Sequence, residues 1–511
     1  MSTESIIILA TIIVYLLLVL AIGFHYAKKN ESTSDFYLGG RKLGPLVTAM
    51  SAEASDMSSY LLMGLPGLAY LSGIADVGWT VIGLAIGTYL NWLFTARRLR
   101  RYTHITNSIT IPQFFSNRFH DNKKILTAIS AIFIIVFFVP YTASGFAACG
   151  KLFSSLFGMN YMVAMIISAI VIVGYTAAGG FLAASTTDFV QSIIMTFAIL
   201  IVLGFATVVA GGPGAVIDNA KSMAGYLSFT STHTQAGSEP YGFLKIVSTL
   251  AWGLGYFGMP HILLRFMAIE DDRKLKLSRR VASIWVVIAM SIAVAIGVVG
   301  NALSTNGDIA IFTNSSESET IIIKIADVLS KHGAFAAIVA GLILAGILAS
   351  TMSTADSQLL AASSSASENL FQETFRLKIS KKVNMLVARG TVIVIAILGI
   401  IIASNPNSSI FDIVSFAWAG FGAAFGPLVI CSLFWKRTTL PGAIAGMIAG
   451  GVTVFLWKYL IAPLGGAFAI YELLPAFIVS ILIIVIVSLL TKAPSEEIIN
   501  EFNLAKGKEE L

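Results

Sequence analysis

Windows of about twenty apolar residues, the length of helix that crosses a roughly 30 Å hydrocarbon core, recur thirteen times along this sequence. They start near residues 5, 44, 76, 124, 160, 185, 242, 281, 336, 387, 409, 440 and 471, and the fifth and sixth are joined by a short Gly179-Gly180 turn. Lipid offers no partner to backbone N–H and C=O groups, so each window has to satisfy its own as a helix. With 56% hydrophobic and 12% charged residues over 511 positions and a mean hydropathy of +0.84, the chain reads as an all-α polytopic membrane protein. The longest connectors, about 211–242 and 301–332, are Ser-, Thr- and Gly-rich, so residues 1–511 are expected to form a single transmembrane domain.

Basic residues cluster in alternate loops. One side carries Lys28, Lys29, Arg41 and Lys42, then Arg97, Arg98, Arg100, Arg101, Arg118, Lys123 and Lys124, then Arg273, Lys274, Lys276, Arg279 and Arg280. Further groups follow on that side: Arg376, Lys378, Lys381 and Lys382, then Lys436 and Arg437, then Lys492, Lys506 and Lys508. The other side has chiefly Lys151, Lys221, Lys324 and Lys331, which by the positive-inside rule puts the N-terminus outside and the C-terminus in the cytoplasm of a plasma-membrane protein. The same pattern explains the pI near 9.1 as topology, not as a nucleic-acid surface. Glu4 and the length of the first apolar run argue for a retained helix over a signal peptide. Cys149 and Cys431 both fall inside windows, so neither a disulfide framework nor a thiolate metal site is expected. No phosphate-binding loop, no metal-ligand spacing among the six histidines and no nucleophile motif is present, which leaves secondary transport, and not enzyme chemistry, as the expectation.

Two windows carry helix breaks. The second contains Ala52-Glu53-Ala54-Ser55-Asp56-Met57-Ser58-Ser59-Tyr60 followed by Pro66, and the seventh contains Trp252-Gly253-Leu254-Gly255-Tyr256-Phe257-Gly258-Met259-Pro260. A carboxylate at membrane depth needs a partner or a wet cavity, so Asp56 among hydroxyls marks an ion or substrate pathway. The breaks lie about two hundred residues apart. Grouping five windows behind each gives an inverted repeat, about 44–211 and 242–435, with peripheral helices at about 5–25, 440–463 and 471–491. In the ninth window Ser350, Ser353, Thr354 and Ser357 recur at i, i+3, i+4 and i+7, an oxygen stripe on one helical face with Asp356 at its edge. Asp188, in Thr186-Thr187-Asp188, is placed at the start of the sixth window, as a further ligand or as an N-cap.

The segments Tyr37-Leu38-Gly39-Gly40-Arg41-Lys42-Leu43-Gly44-Pro45, Ala54-Ser55-Asp56-Met57-Ser58 and Met63-Gly64-Leu65-Pro66-Gly67 resemble the sodium/proline symporters of the sodium:solute symporter family. So do the Trp252–Gly258 stretch with Pro260-His261, Met352-Ser353-Thr354, and Trp418-Ala419-Gly420-Phe421-Gly422-Ala423-Ala424-Phe425-Gly426-Pro427. The resemblance implies a leucine-transporter-type five-plus-five core with broken helices 2 and 7, importing L-proline or a similar small amino acid with sodium as coupling ion and no other cofactor. It implies sodium ligation by carbonyls of Ala54, Met57 and Ser350 and hydroxyls of Ser353 and Thr354, and coupling roles for Asp56 and Arg41. Asp188, Ser353, Asp356 and Ser357 resemble the additional sodium site of some members. The substrate pocket maps to Ser58, Tyr141, Trp252, Tyr256 and Pro260. The sequence departs from the family pattern at Ser59 and Tyr60, where Gly-Trp is usual, at Met259, where Gln is usual, and at Glu53, where a small residue is usual. Those changes bring Ser59, Tyr60 and Met259 into the expected pocket. They leave open a carrier of another small organic solute; a sensor or channel on the same fold is the rival of a different class.

Overall fold

The computed structural model describes residues 2–27, 33–375 and 380–507. Lys28, Lys29, Arg376, Lys378 and Lys508, which entered the orientation argument, lie outside them. Most of the described residues are helical, and the strands among them form a hairpin of β1 (Ser231–Thr234) with β2 (Gly237–Pro240), antiparallel with Thr232 opposite Glu239.

The chain opens with α1 (Thr3–Ala27), apolar all round and only 28% buried over its most apolar stretch, as suits a lipid-facing peripheral helix. Gly44 is extended and Pro45 occupies the first turn of α2 (Pro45–Ser59), where the missing N–H of proline costs nothing. A π turn over Tyr60–Gly64 leads into α3 (Leu65–Ser72). Next come α4 (Ile74–Leu90), which passes through a second π turn, Asn91–Thr95, into α5 (Ala96–Ile105), then α6 (Ile125–Phe157) and α7 (Tyr161–Val209). The second interrupted helix is α8 (Phe243–Leu250), a 3-10 stretch Ala251–Gly258, and α9 (Pro260–Ala268), with Pro260 again in the first turn. The remaining long helices are α10 (Leu275–Asn306), α11 (Ala334–Ser364), α12 (Lys381–Ile402), α13 (Ile410–Phe434), α14 (Leu440–Leu456) and α15 (Leu473–Leu490).

Among the described residues, ten helices are long and apolar enough to cross a bilayer. Three expected windows fall short of that standard for visible reasons: Tyr161–Ala177 is shorter, and the second and seventh are the interrupted ones. Two helices form the centre: α11 and α13 are 72% and 83% buried over their most apolar stretches. The two broken helices are tied at one end by backbone bonds, Leu43 N–H to Ala268 O at 3.1 Å and Glu270 N–H to Leu43 O at 3.0 Å.

The long connectors hold local structure: the first contains a helix, Pro213–Ser222, and the hairpin, and the second contains Ile321–Ser330, whose apolar side is buried. One sequence expectation is corrected. Asp188 does not begin a helix. The break between the fifth and sixth windows falls at Gly180 (φ 67°, ψ −165°), a conformation that glycine adopts without strain, so helix resumes there and Asp188 lies two turns in, too far for an N-cap.

Candidate functional site

The first break is made by one residue. Ser58 takes φ 48° and ψ −167°, which interrupts α2 and frees the carbonyls of the turn before it. Helix α11 lies across that turn. Ser353 Oγ donates to Ala54 O at 2.8 Å and to Ser350 O at 3.2 Å, and Thr354 Oγ1 donates to Ser350 O at 3.1 Å. Four of the five expected sodium ligands, Ala54 O, Ser350 O, Ser353 Oγ and Thr354 Oγ1, therefore form one buried hydrogen-bonded chain across two helices. Hydroxyl hydrogens rotate, so the same oxygens can turn lone pairs toward a cation. The fifth, Met57 O, sits one turn on and accepts from Tyr60 N–H.

Asp56 stands beside this chain. Its Oδ2 accepts from Tyr256 Oη at 2.6 Å and its backbone carbonyl from Tyr141 Oη at 3.2 Å. Two residues of the expected pocket thus reach Asp56 from the other break and from α6. A cavity of about 10 Å³, roughly the room of one water, is lined by Asp56, Met57, Tyr60, Tyr141, Trp252 and Trp418, with Leu84, Met290 and Val414 behind. Tyr60 stacks on Trp252 at 5.7 Å between centroids, and Trp252 on Tyr471 at 4.9 Å. That volume is too small for an organic solute, so one fits there only when the side chains lining it part.

Other expected residues lie apart from that cavity. Ser58 and Ser59 line a separate cleft with Tyr141, Ser144, Thr351, Thr354 and Gln358, on the sodium-ligand side. Met259 and Pro260 are fully buried at the start of α9 and line neither. Arg41 does not meet Asp56; it donates to Ser108 O at 2.6 Å, Met267 O at 2.7 Å and Thr103 O at 3.0 Å, clasping the chain ahead of α2 to the ends of α5 and α9.

The second expected ion site already holds a positive charge. Arg265, on α9, is completely buried and donates from Nη2 to Asp188 Oδ2 at 3.1 Å and to Ser357 Oγ, from Nε to Ser51 Oγ at 3.0 Å, and from Nη1 to His261 O at 2.9 Å. Ser51 Oγ donates to the same Asp188 oxygen at 2.6 Å. Asp356 is held by Tyr175 Oη at 2.6 Å and Ser357 Oγ at 3.0 Å. Sequence reasoning missed Arg265, although an arginine among Ile262–Ala268 carries the same intramembrane signal as Asp56. It also missed Trp418 as a cavity wall, although Trp418 lay inside a family motif, and it missed Phe411 and Tyr471, whose rings pack against Trp252 at 5.6 and 4.9 Å between centroids and which nothing in the sequence pairs with it.

The sodium:solute symporter family matches residues 36–450. The "Sodium/proline symporter" of Haemophilus influenzae is 42% identical over 504 residues, covering 98% of this chain and 97% of the relative. The "High-affinity proline transporter PutP" of Bacillus subtilis is 43% identical over 486 residues, covering 95% and 98%. A solved structure of a substrate-bound, outward-open Na+-coupled sialic acid symporter superposes with a TM-score of 0.79 at 19% identity, covering 96% of this chain and 99% of the other. A closed conformation of Mhp1, a nucleobase-cation-symport-1 family transporter, superposes at 0.54 and 15% identity, covering 93% and 99%. These likenesses give the architecture, a leucine-transporter-type fold built on two broken helices. Family profile, near-complete relatives and fold agree that this chain belongs to the sodium:solute symporter family.

Proposed function

We propose that the chain is a sodium-coupled secondary symporter that imports L-proline across the plasma membrane, with the N-terminus outside and the C-terminus in the cytoplasm. The observation that carries the reading is the chain of four oxygens joining Ala54, Ser350, Ser353 and Thr354 across the first break, in a protein whose near full-length relatives are named for sodium and proline. Thirteen spans follow if Tyr161–Ala177 and the two interrupted helices are added to the ten intact ones, and the repeats run over about 44–211 and 242–435 with peripheral helices outside them.

Sodium bound between α2 and α11 favours the outward-open state, because an ion shifts a conformational equilibrium by its differential affinity for the two states. Proline then sits between Asp56, Tyr60, Tyr141, Trp252 and Tyr256, with Ser58 and Ser59 linking it to the ion and Met259 and Pro260 shaping the start of α9. Closing the Tyr60–Trp252–Tyr471 stack seals the pocket. Release inward is driven by low cytoplasmic sodium and by the membrane potential, worth about 2.3 kcal/mol per charge per 100 mV. Arg41 keeps the cytoplasmic ends of the broken helices together through the cycle. A second sodium, at Asp188, Ser353, Asp356 and Ser357, requires Arg265 to turn away from Asp188.

The reading is tested by uptake of labelled proline into proteoliposomes. Saturable uptake that needs an inward sodium gradient, is lost when choline replaces the sodium outside and is absent from empty liposomes supports it. No sodium dependence removes the symport, and a solute from an amino-acid, organic-acid and sugar panel that is transported while proline fails to compete removes proline.

A further inference from the structure

Helices α1, α6, α7 and α11 enclose a cavity of about 270 Å³ that shares no lining residue with the two clefts beside the first break. Its walls are almost wholly carbon. Ile12 comes from α1, Phe153 from α6, Ile172 from α7 and Leu348 from α11, and none of the described lining residues is charged. The hydroxyl in the lining, Ser168 Oγ, is already spent on Ala164 O at 2.9 Å. A polar solute placed there leaves its own groups unpaired, and water finds too few partners to stay. The chemistry of the walls therefore calls for an apolar ligand.

Two lining residues show where the cavity opens. Ile13 on α1 and Ile167 on α7 are half-exposed, and the surface they share continues into exposed Val14, Leu17 and Ile170 on the same helices. Apolar surface of that kind on spanning helices is covered by the bilayer, so the cavity is a recess in the lipid-facing side of the protein. Lipid tails are as apolar as these walls, and no hydrophobic force draws one in. What a seated chain gains is van der Waals contact with four helices at once, small for each atom pair and large in sum. A recess of this size admits a stretch of one acyl chain and leaves the rest of the phospholipid outside.

The inner wall is the back of α11. Leu348 and Met352 stand one turn apart, and at about 3.6 residues per turn they lie opposite the stripe of Ser350, Ser353, Thr354 and Ser357.

We propose that this recess is a lipid site, in which one acyl chain of a bilayer phospholipid seats against the face of α11 opposite its oxygen stripe. The inference is independent of the transported solute and of the coupling ion.

The full-length protein in proteoliposomes that contain a phosphatidylcholine with a diazirine at the end of one acyl chain is irradiated, and adducts are mapped by peptide mass spectrometry. Any neighbouring lipid reaches exposed Val14 and Ile170, whereas Leu348 and Met352, at 3% and 2% exposure, are reached only by a chain inside the recess. Adducts are expected on Leu348 or Met352 as well as on Ile170. Ala164→Phe and Ser168→Leu, which fill the recess from α7, are expected to lose the α11 adducts and keep those on Ile170. Adducts confined to Val14 and Ile170 in the parent overturn the inference, as do α11 adducts that persist in both filled variants. Competition reads the source: excess unlabelled phosphatidylcholine is expected to remove the α11 adducts, while their loss with free oleate alone gives the recess to a fatty acid and overturns the phospholipid assignment. Where neither filled variant folds, the parent map and the competition decide.

Discussion

Single oxygens decide the ion site. Ser353 Oγ bonds both Ala54 O and Ser350 O, so Ser353→Ala removes a ligand and the bridge between α2 and α11 together, whereas Thr354→Ala removes a ligand that bonds only within its own helix. Both are expected to raise the sodium concentration for half-maximal uptake, by about tenfold or more for Ser353→Ala, a loss of roughly 1.4 kcal/mol, with a smaller effect on proline affinity at saturating sodium. Sodium-activation curves check this, and unchanged curves in both variants take the residues out of the site. Asp56→Asn is expected to abolish coupling, since the neutral side chain keeps the Tyr256 bond but loses the charge; Asp56→Glu retains more. Normal sodium-driven uptake by the Asn variant returns Asp56 to packing. These residues were legible because hydroxyls at helical spacing and an acid in an apolar window are local signals. The placement of Ser59 and Met259 away from the small cavity was not, because it depends on how far each break turns the chain, and that is set by packing against α6, α11 and α13. Tyr60→Trp, Ser59→Gly and Met259→Gln together are expected to shift solute selectivity toward proline in a competition assay, with Tyr60, the residue stacked on Trp252, carrying the largest part.

The two broken helices are made by different devices. In α2 a non-glycine residue holds the break: Ser58, at φ 48° and ψ −167°, lies in a region used almost solely by glycine, at a cost on the order of 1–3 kcal/mol. Ser58→Gly relaxes the backbone at the cost of the Ser58 hydroxyl, which accepts from Tyr60 N–H at 3.1 Å. It is expected to keep or raise the apparent melting temperature, while Ser58→Val lowers it; equal melting of all three proteins by fluorescence shows that the break is not strained there. In the second helix the glycines serve close approach. A Cβ on Gly253 runs into the backbone of Gly83, and one on Gly255 into the indole of Trp418, whose Nε1 donates to Trp252 O at 2.8 Å. Gly255→Ala is therefore expected to destabilise by about 1–3 kcal/mol, through overpacking. The sequence marked both breaks through Pro66, Pro260 and the glycine run, yet it could not say which glycines allow a bend and which allow contact, since both uses leave the same letters.

Across the whole molecule, orientation and ion count are the properties that no single element fixes. Cys149 and Cys431 are buried, so introduced cysteines report without background. Lys221→Cys, exposed in the last turn of the Pro213–Ser222 helix, is expected to label from outside, and Lys276→Cys, exposed at the start of α10, only after permeabilisation; the reverse pattern inverts the topology. The ion count turns on Arg265. Its guanidinium neutralises Asp188, so the charge on that side is balanced without a second sodium, and Asp356 accepts from the hydroxyls of Tyr175 and Ser357. A second ion binds only if the cycle includes a state in which α9 carries Arg265 away, and α9 is the half-helix beyond the second break, an element able to move as a unit about Gly258 and Met259. Two sodium ions per proline give a charge-to-proline flux ratio above one in proteoliposomes, falling toward one in Asp356→Ala. A ratio of one in the parent, left unchanged by Asp356→Ala, means that Arg265 stays in place throughout and serves as a fixed counter-ion where other arrangements of these carboxylates would call for sodium.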